Sequence, residues 1–191
     1  RTMPHTLRSI QVTDEQVAEL TMLCGFDDDL AAQITQVGNR VRGLLTQIHP
    51  ALERAIGPRL DHPAILDLLQ RWPSPAELRA AGEKRIATRM LKLAPRKGRE
   101  WAHEIVVALS EQTVVVTGTN AAALAIPRLA AQLTTLRKQR DEVASEVEKL
   151  VDAHPLQPVL TSMPGVGVRT AARVLTEVAG KHFPPPGHLA A

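Results

Sequence analysis

Apolar residues recur at helical spacing along most of this chain. From Val17 they fall at Leu20, Leu23, Cys24, Leu30, Ile34, Val37, Val41, Leu44, Leu45 and Ile48, which is one face of a helix. Thr13, with Gln16 three residues later, forms a capping box at its start. Pro50 disfavours helical backbone at His49. The pattern predicts one long helix ending at His49, weakened by Gly25, Gly38 and Gly43, each by up to about 1 kcal/mol relative to alanine. Residues 1–12, around Pro4, read as extended. From 50 to 94, prolines punctuate short helices. Pro63 opens one over Ala64–Trp72. Ser74-Pro75-Ala76-Glu77 opens another, with serine as N-cap, proline at the first helical position and glutamate at the third. Gly82 ends it, and Ile86, Met90, Leu91 and Leu93 carry a further turn or two. Trp101 to Val116 reads as helix; Val114-Val115-Val116 also fits a short strand by periodicity, but no partner strand is evident. After Gly118-Thr119-Asn120 a second long helix runs to His154-Pro155, kinked near its start by Pro127.

Within that second helix Leu129, Leu133, Leu136, Arg140, Val143, Val147 and Leu150 step by four and three. This is a heptad seam with one polar member. It calls for a partner helix, supplied either by this chain or by a second subunit; the reading taken is a homo-oligomer. The predicted class is all-α: long helices, a helical insert, an antiparallel or dimeric coiled coil and a C-terminal helix-hairpin-helix.

The hairpin is Leu160-Thr161-Ser162-Met163-Pro164-Gly165-Val166-Gly167-Val168-Arg169-Thr170-Ala171-Ala172. Pro164 stops the incoming segment. Gly165 and Gly167 permit a tight turn and a close approach of backbone to a ligand. Periodicity then restarts at Val168, Ala171, Ala172, Leu175, Val178 and Ala179, and Gly180 suits the helix end. The first turn of this helix offers free N–H groups and the positive end of its dipole to a phosphate. Arg169 and Arg173, four apart, flank the same place. Pro164, Gly165, Val166, Gly167, Arg169, Thr170 and Arg173 are therefore candidate nucleic-acid contacts; the competing reading is a plain turn between packed helices.

Charge sharpens the picture in one segment. Lys84, Arg85, Arg89, Lys92, Arg96, Lys97 and Arg99 follow one another with no acid among them, in a chain whose net charge is only +3. Such a segment neutralises phosphates and gives salt-sensitive binding; a solvated helix face is the alternative. Lys92, Arg96, Lys97 and Arg99 are taken as contacts, with Arg40 and Arg42 of the first helix. Asp27, Asp28 and Asp29 point about 100° apart on a helix. They cannot converge on one ion and read as a solvated acidic patch. His103 and Glu104 read as a surface pair.

Aromatics are scarce, only Trp72, Trp101, Phe26 and Phe183, with no tyrosine. A core of leucine, valine, isoleucine and alanine suits packed helices better than strands. The single cysteine, Cys24, excludes an internal disulfide and fits a reducing cytoplasm. No apolar run has membrane-spanning length, so no membrane partner is expected. There is no zinc spacing, no Gly-Lys-Ser/Thr phosphate loop and no dinucleotide fingerprint. Ser162 has no identifiable base beside it. No catalytic or metal-ligating residue is assigned.

The order of features resembles a known family. Gly38-Asn39-Arg40-Val41-Arg42-Gly43-Leu44-Leu45 leads into His49-Pro50-Ala51-Leu52-Glu53, then Trp72-Pro73-Ser74-Pro75-Ala76-Glu77-Leu78, the coiled-coil helix, the Pro-Gly-Val-Gly hairpin, and Phe183 through Ala191. This is similar to the transposases of bacterial insertion-sequence family 110, which pair an RuvC-like domain of Asp-Glu-Asp-Asp type with a C-terminal transposase domain. The resemblance implies four segments: residues 1–49 as the end of the RuvC-like domain, 50–120 as a helical insert, 121–154 as a coiled coil, and 155–191 as the start of the transposase domain. It implies DNA recombination by a multimeric enzyme, with Mg²⁺ at the acidic site, a covalent serine step and a structured guide RNA. It places the acidic residues upstream of Arg1 and the serine downstream of Ala191. The expectation is an internal fragment that binds and assembles in the bacterial cytoplasm, at the nucleoid, without cofactor or cutting.

Overall fold

The computed structural model describes residues 15–112 and 114–178. Among these residues the fold is all-α, with no strand. The elements are α1 (Glu15–Ile48), α2 (Pro50–Ile56), a 3₁₀ turn (Gly57–Asp61), α3 (Pro63–Arg71), α4 (Pro75–Met90), α5 (Gly98–Glu111), α6 (Thr119–Asp152), α7 (Gln157–Thr161) and α8 (Val168–Val178). The extended reading of 1–12, the Thr13 cap, Ala179, Gly180 and the Phe183–Ala191 tail lie outside the described residues.

The chain divides into two compact units, one of residues 30–139 and one of residues 1–29 with 140–191. The divisions expected from the sequence follow the chain in order, whereas α1 and α6 each contribute to both units.

In the unit of residues 30–139, local chemistry sets the helix starts. Ser74 Oγ accepts from the Glu77 N–H at 3.2 Å and donates to the Glu77 carboxylate at 2.9 Å, the expected capping box. Two further caps are histidines. His49 Nδ1 accepts from the Leu52 N–H at 3.1 Å at the start of α2, and His62 Nδ1 from the Ala64 N–H at 3.1 Å at the start of α3. Each precedes a proline, which is favoured at the first helical position. Gly82 breaks α4 with φ 73 and ψ 161, a left-handed backbone that a side chain would resist. Helix resumes to Met90. α4 packs along α5, and α5 against α2. Leu52, Ile56, Leu60, Ile65, Leu68, Leu69, Leu78, Ile86, Met90, Ile105 and Leu109 are buried. Gly98 opens α5 where an added Cβ would lie 2.8 Å from the backbone of Met90 and Leu91.

The helix expected to reach Val116 ends at Glu111. Gln112 turns extended at φ −125 and ψ 113, and Val114 and Val115 are exposed in an irregular loop. A run of β-branched residues loses rotamer freedom in a helix. Arg79 closes the helix end by donating to the Leu109 carbonyl at 2.8 Å and to that of Gln112. Gln112 Nε2 donates to the Ile48 carbonyl at 2.9 Å. The Leu109 carbonyl near the end of α5 is thus satisfied without a further turn.

In the second unit, Val17, Leu20, Cys24, Val143, Val147, Val151, Leu160, Ala171, Ala172 and Leu175 are buried. The seam of α6 is largely covered in the single chain. Leu129, Leu133, Leu136, Val143 and Val147 are buried and Leu150 is half-buried. The burial matches the alternative in which this chain supplies the covering surface, so the seam does not need a second subunit to leave water.

Candidate nucleic-acid interface

Two basic clefts stand out, one in each unit. In the unit of residues 30–139, the second half of α4 and the end of α3 form a cleft of about 360 Å³ lined by Arg71, Trp72, Lys84, Arg85, Thr88, Arg89 and Lys92. On α4, Lys84 and Thr88 are four apart, as are Arg85 and Arg89, so each pair lies side by side on the helix surface, and Lys92 follows in the turn after Met90. Arg89 is held by Asp67 through two bonds of 2.7 and 2.6 Å; that bonding raises its pKa above the usual arginine value. No carboxylate among the described residues pairs with Lys84, Arg85 or Lys92. The Arg71 guanidinium lies 5.7 Å over the Trp72 ring.

The remaining basic residues divide. Lys97 pairs with Glu100 at 2.7 Å. Arg96 and Lys97 line a separate cleft with His62 and Trp101, and Arg99 is exposed on the first turn of α5. Arg42 is taken by Glu53 at 2.9 Å, while Arg40 is exposed beside Gly43 and Leu44. His103 faces Glu83 at 3.2 Å rather than its neighbour; Glu104 binds Arg59 at 2.6 Å.

In the other unit, α7, the turn and α8 build the hairpin. Ser162 ends α7, and its Oγ donates to the Val159 carbonyl at 2.7 Å, a structural use of that hydroxyl. The Val166 N–H donates to the Met163 carbonyl at 3.1 Å, across Pro164 and Gly165. Gly165 has φ 82, the conformation the turn requires of it. The Ala171 N–H donates to the Gly167 carbonyl at 2.9 Å and opens α8. Ala171, Ala172 and Leu175 are buried, whereas Val178 is exposed.

Of the two hairpin arginines, Arg173 is not free. Arg173 pairs with Asp28, and Arg140 grips Asp27 with bonds of 2.8 and 3.1 Å. The hydrogen bond from Arg140 holds the Asp27 carboxyl below its usual value, with smaller help from Arg169 and Arg173. The corresponding bonds raise Arg140 and Arg173. Burial pushes the Cys24 thiol up. These groups line a cleft of about 340 Å³ with Arg169, Thr170, Ala144, Val147 and Ala172. The acidic patch expected at residues 27–29 is thus largely an ion-pair acceptor, and Arg140, read as a polar member of the seam, is its partner. These pairings lie 113 and 145 residues apart in sequence, so no local signal announces them.

No group of three or more His, Cys, Asp or Glu among the described residues could hold a metal ion. Asp27 and Asp28, each committed to an arginine, do not fit a divalent cation. No helix of the described residues is long and apolar enough to cross a membrane.

The chain is similar to known proteins. A family model of IS110 type, described as "Transposase", matches residues 1–50. An insertion element IS110 protein of 43.6 kDa from Streptomyces coelicolor is 54% identical over 191 residues, all of this chain and 47% of that protein. An insertion element IS900 protein from Mycobacterium paratuberculosis is 29% identical over 93% of this chain and 44% of its own length. An insertion element IS116 protein from Streptomyces clavuligerus is 31% identical over 80% of this chain and 38% of its own length. No solved structure matches. The chain spans about half the length, or less, of the curated relatives it matches. With the transposase model matching residues 1–50 and an insertion element IS110 protein 54% identical along the full chain, the chain belongs to the IS110 family of insertion-element transposases.

Proposed function

We propose that this chain supplies DNA binding to an IS110-family transposase by neutralising backbone phosphates, without itself cutting. The observation that carries the reading is the cleft where Lys84, Arg85, Lys92 and Arg71 meet. None of these four cations pairs with a described carboxylate. Placed cations of this kind release counterions when they take up phosphates, which gives affinity with little sequence preference. Pro164 to Gly167, Arg169, Thr170 and Arg173 form a second, weaker contact, because Arg173 must first leave Asp28. Arg40, Arg96, Lys97 and Arg99 add peripheral charge.

The parent protein's cutting chemistry and its Mg²⁺ are assigned to residues other than the carboxylates described here. A structured guide RNA and a second copy of the chain remain partners of the same reading, in the bacterial cytoplasm at the nucleoid. The buried part of the α6 seam is unsuited to the second role, so subunit contact falls to exposed faces.

The test is a titration of a fluorescent DNA duplex with the chain at several salt concentrations. The triple variant Lys84→Glu, Arg85→Glu, Lys92→Glu should bind at least about a hundredfold more weakly and lose about three units of log–log salt slope. Unchanged affinity and slope would remove the cleft from the interface.

A further inference from the structure

We propose that the α3–α4 cleft accepts an unpaired nucleotide, with its base stacked on the Trp72 ring and its phosphates held by Lys84, Arg85 and Lys92. The inference rests on the reading above and narrows it to single-stranded nucleic acid. Phosphate capture on duplex DNA needs only cations, because the bases stay stacked inside the helix. An aromatic wall among cations is instead what an unpaired strand uses: bases stack on the ring while charge tracks the backbone.

The two tryptophans make the case by contrast. Trp101 is engaged within the fold. His62 meets its ring edge-on at 4.8 Å, and Arg59, itself paired with Glu104, lies 5.3 Å over it. Trp72 is half-buried at the end of α3, anchored through its backbone N–H to the Leu68 carbonyl. Its described ring contact is Arg71, whose planar guanidinium is itself a surface on which bases stack. Trp101, half-buried too and on the cleft of Arg96 and Lys97, thus already has its ring taken by His62 and Arg59. For Trp72, in a chain with only four Trp and Phe residues, a position on the wall of a cleft with five cations is better explained by a ligand with a flat face. The cleft, at about 360 Å³, is in the size range of small-molecule sites.

The test uses Trp101→Phe, which leaves Trp72 as the sole indole emitter. Its fluorescence is followed while the 191-residue chain is titrated with an oligothymidylate, an oligouridylate of equal length, or a duplex of that length. Quenching by a single strand, and little by the duplex at equal occupancy, is expected; the tighter of the two single strands names DNA or RNA as the source. In the otherwise native chain, Trp72→Leu should lower single-strand affinity about tenfold and leave duplex affinity unchanged, with thermal melting to confirm folding. Equal quenching by duplex and single strand, or no quenching by either, overturns the stacking while leaving the phosphate reading to stand on its charge reversals. If the triple Glu variant binds every probe as the unaltered chain does, the phosphate reading itself falls.

Discussion

The two clefts are built from similar side chains and are opposite in electrostatic state. In the α3–α4 cleft, Arg89 is spent on Asp67 while Lys84, Arg85 and Lys92 keep their charge for solvent. In the hairpin cleft, Arg140 and Arg173 are both held by aspartates of α1, and Arg169 supplies the remaining positive charge. Counting basic residues ranks both as nucleic-acid surfaces. Counting partners separates a surface ready for phosphate from one that must exchange a carboxylate for it. A phosphate that takes Arg173 must displace its exposed pair with Asp28, which subtracts up to about 1 kcal/mol from the binding.

The widest test of this contrast compares charge reversals in the two clefts. Against the hundredfold loss expected for the Lys84, Arg85 and Lys92 triple variant, Arg169→Glu with Arg173→Glu should cost only about three- to tenfold in duplex affinity. A hairpin loss as large as that of the triple variant would show that Asp28 does not restrain Arg173.

The Asp27–Arg140 pair should matter to stability more than to binding. It joins α1 to α6 with two charge-assisted bonds, and its side chains are 17% and 31% exposed. Arg140→Leu should lower stability by about 1–2 kcal/mol, discounted from a fully buried pair for solvent screening, as read from chemical denaturation. A change below about 0.3 kcal/mol would make the pair incidental.

Asp28→Asn gives a smaller effect of opposite sign. It frees Arg173 and keeps the shape, so duplex affinity should rise about two- to fivefold at low salt, with the gain fading as salt increases. The corresponding change at Asp67 frees Arg89 beside the α4 cleft and should act in the same direction. No gain from Asp28→Asn would mean that Arg173 does not reach phosphate.

What the sequence could and could not convey follows from the range of each interaction. The Ser74–Glu77 box, the break at Gly82 and the Gly165 turn depend on residues three or four apart, and local chemistry made each legible. The Arg140–Asp27 and Arg173–Asp28 pairs depend on the fold, so Arg140 read as a seam residue and Asp27 as solvated. Val114 to Val116 read as helix because their apolar character masked their β-branched cost, and because Arg79, which closes α5, comes from another helix. The histidine caps had a usable signal: His49 and His62 each stand directly before a proline followed by an apolar helix. Trp72 and Lys84 are twelve positions apart, and only the packing of α3 against α4 puts them on one cleft.

The same contrast extends to acid. His49, only 1% exposed, caps α2 through Nδ1, and its Nε2 has no hydrogen-bond partner. Burial, with Arg79 nearby, depresses its pKa below the usual 6.5. The unfolded chain therefore binds a proton there that the folded chain refuses, so this contribution is complete above about pH 6.5 and is lost as pH falls below it. Asp27 also has a depressed pKa, but its stabilisation is present above about pH 4 and fades only as pH falls through the folded value. The unit of residues 30–139 should thus weaken first on acidification, by amide exchange measured from pH 7.5 to 3.5, and the unit that carries Asp27 should weaken later. His49→Asn, which keeps an acceptor at the N-cap and removes the titration, should abolish the earlier step and leave the later one. Should both units loosen together below pH 4 in the unaltered chain, His49 would not be the group that titrates.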